Sequence, residues 1–136
     1  MPMIPGPLAA TAYGAIKVAG YAYFARQFNQ LTTRSISPIR FGLAKTAIGL
    51  FGGIALIAIF MSGAVSGDPS DAYLYLAALP VRLTAWSIAL GLFYGFRDQP
   101  RRMFLAVLVG TAWSYCLDAI MWIVYRVIPG MAMPFC

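Results

Sequence analysis

Three ionisable side chains, Lys17, Arg82 and Asp118, each lie near the centre of a long apolar stretch of the sequence. Each is about ten residues from the end of its stretch, which in a helix corresponds to a depth of about 15 Å. An isolated charge at this depth in a membrane costs about 2.5–3.5 kcal/mol, and a cluster of opposite charges offsets much of that cost. The common depth therefore predicts that Asp118 pairs with Arg82 and that Lys17 completes the group. Their formal charges sum to +1, so the group has room for one anion.

A fourth ionisable side chain, Lys45, lies only about five residues from the end of its apolar stretch. A lysine side chain is long enough to carry its ammonium group from this depth to the membrane surface. We therefore expect Lys45 to extend to the lipid headgroups, outside the charged group formed by the other three.

Aromatic and hydroxyl side chains accompany the three charges. Positions three and four residues apart share a helix face, and the additional candidate residues are Tyr13, Tyr21, Trp86, Ser114, Tyr115 and Trp122. Hydroxyl and indole groups hydrogen-bond polar atoms, while the aromatic rings contact apolar ones. Together with the three charges they form the predicted ligand-binding site, which suits a small anionic or amphipathic, lipid-like ligand. The competing interpretation is a structural polar cluster that fixes the register of the helices.

The composition identifies the surroundings of these residues. Of the 136 residues 61% are apolar and 10% are charged, whereas soluble domains contain about 25% charged residues. The chain has neither His nor Glu, which excludes His-ligated haem or zinc, a Ser-His-Asp triad and a Glu-built di-iron site. The two cysteines, Cys116 and Cys136, differ too much in depth for an easy disulfide. We expect an integral membrane protein with no metal and no cofactor.

Four apolar stretches are long enough to cross a hydrocarbon core about 30 Å thick as helices. They cover about residues 7–28, 41–63, 72–96 and 103–128, and the segments between them are short and carry polar, Gly and Pro residues. The prediction is a single all-α domain over residues 1–136, a bundle of four transmembrane helices.

Basic residues gather at one side of the predicted bundle. Seven lie near the helix ends on that side, and Arg126 alone lies on the other. The seven are Arg26, Arg34, Arg40, Lys45, Arg97, Arg101 and Arg102. Because Lys and Arg accumulate in cytoplasmic loops, we expect both termini on the non-cytoplasmic side of a bacterial inner (plasma) membrane. The basic loops are too short for nucleic-acid binding and predict attraction to anionic membrane lipids. Lys17 interrupts the first stretch, so we expect no cleavable signal peptide.

Small residues dominate the first stretch and recur as spaced glycines in the second and third. Gly49 and Gly53, like Gly91 and Gly95, are four residues apart, a spacing that lets helix backbones approach closely. We expect the first helix to be largely enclosed by protein and the glycines to pack within the bundle. A contact between copies in a homo-oligomer is the alternative.

Three functions from different classes fit these features. The first is a small transporter, flippase or channel protomer that binds or translocates its ligand at the charged group, as an oligomer because four helices are few for a pathway. The second is a non-catalytic accessory or assembly subunit of a larger membrane complex. The third is a metal-independent membrane enzyme acting on a lipid or isoprenoid substrate, which a single membrane carboxylate and the lack of His disfavour.

Overall fold

The computed structural model describes residues 7–32, 34–62, 71–95, 97 and 99–127. The described part of the chain contains four α-helices. They are α1 (Pro7–Leu31), α2 (Pro38–Met61), α3 (Asp71–Phe93) and α4 (Pro100–Val127). The predicted all-α class with four helices is confirmed. The predicted starts of the second and fourth helices were three residues too late, because Pro38 and Pro100 open these helices. Proline suits the first helical position, where its missing N–H would have no partner and its fixed φ is already helical.

Helix α3 ends three residues before the predicted boundary. The backbone N–H groups of Tyr94 and Gly95 both donate to the Leu90 carbonyl, at 2.8 and 3.1 Å. Gly95 has a φ of 77°, a left-handed conformation that glycine adopts without steric penalty and that commonly terminates helices.

Three of the described helices are long and apolar enough to cross a membrane. These segments are Pro38–Met61, Leu76–Phe93 and Pro100–Val124, with mean hydropathies of 2.0, 1.6 and 1.6. Their length and composition identify a membrane protein. Helix α1 is not among them, because it carries Lys17, Arg26 and several uncharged polar residues among small ones. The fourth span predicted from the sequence therefore rests on the length of α1 and its place in the bundle.

The helices pack in a ring in chain order. Helix α1 packs on α2, α2 on α3 and α3 on α4, and α4 closes the ring against α1. The end of α3 meets the end of α1, where the Tyr94 hydroxyl donates to Asn29 Oδ1 at 2.8 Å. The start of α4 reaches the same place, where Arg102 Nη1 donates to the Leu31 carbonyl at 3.3 Å. Neighbouring helices are therefore antiparallel.

One end of this bundle, here called the basic end, comprises the described residues within 26–40 and 94–102. Six arginines of this region are exposed; they are Arg26, Arg34, Arg40, Arg97, Arg101 and Arg102. The clustering predicted from the sequence is thus present in the fold, because antiparallel helices bring alternate connections to the same end.

Aromatic side chains fill the bundle next to the basic end. Phe28 and Tyr94 lie edge to face with ring centroids 4.9 Å apart, and Phe41 and Phe93 do so at 5.5 Å. Phe41 and Tyr94 are almost completely buried. We call the set Phe24, Phe28, Phe41, Trp86, Phe93 and Tyr94 the aromatic core. The aromatic core separates the exposed arginines of the basic end from the middle of the bundle.

Helix α1 has one buried and one exposed face. Lys17, Tyr21 and Ala25 are buried, whereas Ala15 and Ala19 are exposed on the other side. The buried face lies very close to α2: a Cβ built on Gly42 would lie 2.5 Å from the Val18 carbonyl oxygen. Within a single chain, α1 is therefore not largely enclosed by protein, contrary to the expectation from the sequence. In a ring of four helices, neighbouring helices cover only the side of each helix that faces the centre.

Candidate functional site

The three predicted charges meet inside the bundle. The Asp118 carboxylate of α4 accepts from Lys17 Nζ of α1 through Oδ1. Its other oxygen, Oδ2, lies 2.5 Å from Arg82 Nη2 of α3. The pairing predicted from equal depth is confirmed, and one carboxylate bridges cations from two other helices. We call Lys17, Arg82 and Asp118 the charged cluster.

The charged cluster is withdrawn from the surface. The exposed fractions of the side chains are 2% for Lys17, 8% for Arg82 and 12% for Asp118. Taking charges out of water is expensive, and mutual attraction offsets that penalty only when the geometry is close and further hydrogen bonds are made. Two cations on one carboxylate leave a formal charge of +1 in the cluster. The site therefore favours an additional anion over an additional cation.

Aromatic faces lie against both cations. The Arg82 guanidinium carbon is 4.1 Å from the centroid of the Tyr115 ring. Lys17 Nζ is 5.4 Å from the centroid of Tyr13 and 5.8 Å from that of Tyr21. The negative face of an aromatic ring attracts a cation, more strongly where water is excluded. These rings stabilise the cations without adding negative formal charge.

Ser114 joins the charged cluster to the bundle interior. Its Oγ accepts from Trp86 Nε1 at 2.9 Å and lies 3.2 Å from the Tyr21 hydroxyl, with which it shares a hydrogen bond. Ser114 is one turn before Asp118 on α4, so both side chains face the middle of the ring. The small hydroxyl lets the indole of Trp86, which is fully buried, reach across from α3.

Eight of the nine predicted site residues lie together. Besides the charged cluster they are Tyr13, Tyr21, Trp86, Ser114 and Tyr115, in the contacts given above. The ninth, Trp122, lies one turn beyond Asp118 and is 44% exposed. Trp122 is therefore not part of the buried site, because the helical spacing that relates it to Asp118 still allows it to turn toward the outside of α4.

The sequence predicts that Lys45 extends to the lipid headgroups, but in the structure Lys45 is buried inside the bundle. It is only 2% exposed, and its Nζ lies 4.8 Å from the centroid of Tyr21 and 5.0 Å from that of Trp86. Because α2 begins at Pro38, Lys45 lies about two helical turns inside it. The sequence contains a second indication of this burial, which the position of Lys45 along its stretch does not provide. Gly42 and Gly49, three residues before and four after Lys45, keep that face of α2 narrow enough for a close neighbour.

The seam between α1 and α4 is held by polar contacts. Besides the ion pair and the Tyr21–Ser114 hydrogen bond, Trp113 Nε1 donates to the Gly20 carbonyl at 3.0 Å. Gly20 permits the approach, since a Cβ there would lie 2.5 Å from Leu117 Cδ2. An ion pair and hydrogen bonds therefore join α1 to α4 at the level of the charged cluster.

The site thus combines ammonium and guanidinium donors, hydroxyl and indole groups, and aromatic faces around one carboxylate. This set can bind an anionic group through the cations and an apolar group through the rings. Comparison with protein-family models, with curated proteins and with solved structures finds no match to this chain.

Proposed function

We propose that this protein is a four-span integral membrane protein of a bacterial inner membrane. In this proposal it binds or translocates a small anionic or amphipathic ligand at the charged cluster. The observation that carries the proposal is the bridging of two cations on different helices by the single carboxylate of Asp118. Membrane lipids surround it, and translocation implies a homo-oligomer, because four helices enclose little space. Nucleic acid is not among the proposed partners.

Asp118 acts in this proposal as an internal counter-ion. A carboxylate, phosphate or sulfonate group of a ligand would bind Arg82 and Lys17 in place of one or both Asp118 oxygens. Guanidinium groups bind such oxyanions through paired N–H donors. The apolar part of an amphipathic ligand would lie against the rings of Tyr13 and Tyr115. Exchange of one anion for another at the same two cations allows both binding and release.

Native mass spectrometry of the detergent-purified protein tests the proposal. Wild-type protein is expected to retain an anionic lipid or metabolite, and Arg82→Ala to lose it. Arg101→Ala is the matched control, because it removes an arginine that is exposed at the basic end and leaves the charged cluster intact. Equal retention by the two variants would place the ligand elsewhere and overturn the proposal.

The orientation is a separate part of the proposal. The basic end would face the cytoplasm, since positively charged loops remain there. In a Cys116→Ala background, a membrane-impermeant maleimide added to spheroplasts is expected to label Cys136. It is expected to label Ser35→Cys, at the basic end, only after the membrane is permeabilised. The reverse pattern would contradict the orientation, and labelling of both positions from outside would contradict the four spans.

An accessory or assembly subunit of a larger membrane complex is the second candidate. The observation that favours it is the exposed face of α1, which carries Ala10, Thr11, Ala15 and Ala19. Small residues at a membrane helix surface allow close packing of another helix. Under this candidate, pull-down in a mild detergent recovers a defined partner. A protein that purifies alone and monodisperse would contradict it.

A further inference from the structure

Lys45 is a fourth buried ionisable residue, and the proposed function assigns no role to it. It is 2% exposed, as is Lys17. Together with Arg82 the bundle interior therefore holds three cationic side chains, and among the described residues Asp118 is the one carboxylate that accompanies them. Three positive charges and one negative charge leave a formal excess of +2 in the interior, one more than in the charged cluster alone.

The Lys45 side chain points along α2 toward the level of the charged cluster. A Cβ built on Gly49, four residues further along the helix, would lie 3.8 Å from Lys45 Nζ. About one turn beyond Gly49, a Cβ on Gly52 would lie 2.7 Å from Val81 Cγ1 of α3. Val81 directly precedes Arg82 in the sequence. The Lys45 ammonium group is therefore about one helical turn, or roughly 5 Å along the bundle, from the level of Arg82.

Lys45 and Lys17 lie against the same aromatic ring. Their Nζ atoms are 4.8 and 5.8 Å, respectively, from the centroid of Tyr21. Lys45 Nζ is also 5.0 Å from the centroid of Trp86, which lies one turn after Arg82 on α3. Contacts with two helices thus place the Lys45 ammonium beside the charged cluster, on the side that faces the aromatic core.

The excess positive charge has no counterpart in the contacts of Lys45 with aromatic rings. Such rings attract a cation but add no negative formal charge. The other acidic residues of the sequence lie at the start of α3 or outside it; they are Asp68, Asp71 and Asp98. Lys45 also has an interaction of its own beyond the ring contacts, so its role here is assigned to its charge and not to its N–H groups. In a medium of low dielectric constant a charge acts over about 10 Å, which includes an anion bound at the charged cluster.

We infer that the ligand of the charged cluster carries a dianionic phosphate-monoester group and that Lys45 provides the selectivity for its second negative charge. This inference rests on the proposed function, because it assigns the ligand of the same site. Phosphate monoesters carry nearly two negative charges at neutral pH, since their second pKa is about 6. Lys17 and Arg82 bind the phosphate oxygens directly in place of Asp118, and Lys45 attracts the additional charge. A carboxylate or a phosphodiester carries one charge and is attracted less.

Two probes that differ by one charge test this inference. Decyl phosphate is a dianion at pH 8, and decyl methyl phosphate is a monoanion with the same long chain. The affinity of each for the full chain in a non-ionic detergent is measured by titration, with thermal stability as the readout. At an effective dielectric constant of about 20, one further charge about 10 Å from an ammonium group changes affinity roughly tenfold. We therefore expect wild type to bind decyl phosphate about tenfold more tightly. Equal affinities, or tighter binding of the diester, would overturn the inference.

Lys45→Met is the decisive variant because it removes the charge and keeps an unbranched side chain. The preference for decyl phosphate over the diester should fall about tenfold, to near equality. Arg40→Gln is the matched control, since it removes one positive charge from the same helix at an exposed position of the basic end, and it should keep the preference of wild type. A preference that survives Lys45→Met, or that falls equally in Arg40→Gln, would overturn the inference. The comparison of the two probes on wild type remains decisive even if Lys45→Met does not fold.

Arg82→Ala separates this inference from the proposed function. It removes a direct partner of the phosphate group and should weaken the binding of both probes. If wild type binds both probes equally and Arg82→Ala weakens both, the dianion is wrong while the proposed site stands. If Arg82→Ala weakens neither, the probes bind elsewhere and both proposals are wrong. Methyl phosphate identifies the source of the dianion: binding as tight as that of decyl phosphate assigns it to a soluble metabolite, and weaker binding assigns it to a lipid-like amphiphile.

Discussion

Asp118→Asn is the substitution that changes the charged cluster most. The side chain keeps its size but loses its charge, so Lys17 and Arg82 lose the carboxylate that bridges them. Two like charges then remain together inside the bundle. Loss of this one carboxylate also removes the ion pairs that join α4 to α1 and to α3.

The expected loss of stability follows from the burial of the three side chains, none of which is more than 12% exposed. Removing one partner from a buried ion pair costs about 3–5 kcal/mol. We expect Asp118→Asn to fall in this range. Lys17→Met should cost less, because the Asp118–Arg82 pair remains. The double variant should be more stable than Asp118→Asn alone, with a coupling of about 1–3 kcal/mol, because it removes one of the two repelling cations.

The assay is equilibrium unfolding in mixed micelles with increasing dodecyl sulfate, followed by tryptophan fluorescence. Wild type, the two single variants and the double variant form a complete cycle. A loss below about 1 kcal/mol for Asp118→Asn, which is in the range of exposed ion pairs, would refute the reasoning. Additive single effects would also refute it, since they would mean that Lys17 and Asp118 do not interact.

Two further predictions concern packing and pH. Gly110→Ala should destabilise the fold by about 1–3 kcal/mol, because its Cβ would meet the rigid Trp86 ring at 2.5 Å. Gly14→Ala, with nothing within 4 Å of its Cβ, should be neutral or stabilising by up to about 1 kcal/mol; equal thermal stability of the two variants would contradict the packing described for α3 and α4. Burial raises the pKa of the Tyr94 hydroxyl, so the folded state holds this proton more tightly than the unfolded state. The resulting stability is complete below pH about 10 and is lost as pH rises further. Tyr94→Phe, which also removes the bond to Asn29, should be about 1 kcal/mol less stable at pH 8 and should lose less stability above pH 10; parallel pH curves for the two proteins would contradict this.

The charged cluster could be predicted from the sequence because depth along a helix is readable from residue number. Lys17, Arg82 and Asp118 lie at the same depth in three different apolar stretches. Opposite charges at the same depth inside a bundle attract each other. The antiparallel ring then brings them together. The prediction required no knowledge of how each helix is rotated about its axis, because long Lys and Arg side chains can reach across a helix face.

Rotation about the helix axis is what the sequence did not reveal. Trp122 shares a nominal face with Asp118 but is 44% exposed, whereas Lys45, about two turns inside α2, is buried. The exposure of Trp122 depends on the neighbouring helices rather than on local spacing, whereas the burial of Lys45 is indicated in the sequence only by Gly42 and Gly49 on the same face of α2. The same holds for α1, whose outer face is exposed because one chain provides neighbours on only one side.

The unusual state of the Thr111 hydroxyl, which is buried and has no hydrogen-bond partner within the described part of the chain, could not be predicted for a related reason. Thr111 is an ordinary residue in the sequence, and its distinction is a hydroxyl that lacks the usual bond to the preceding turn. That property depends on the side-chain rotamer and on the close approach of Trp86 to Gly110. Only the packed structure brings Lys45 and Gly110 to the same indole ring.

The measurement that tests the central claim most directly is the amount of anionic ligand retained by the folded fraction of Asp118→Asn, determined by native mass spectrometry. If Asp118 is an internal counter-ion that competes with the ligand for Lys17 and Arg82, the variant retains at least as much ligand as wild type. If the variant loses the ligand while remaining folded, the carboxylate does not compete with the ligand, and the central claim is contradicted.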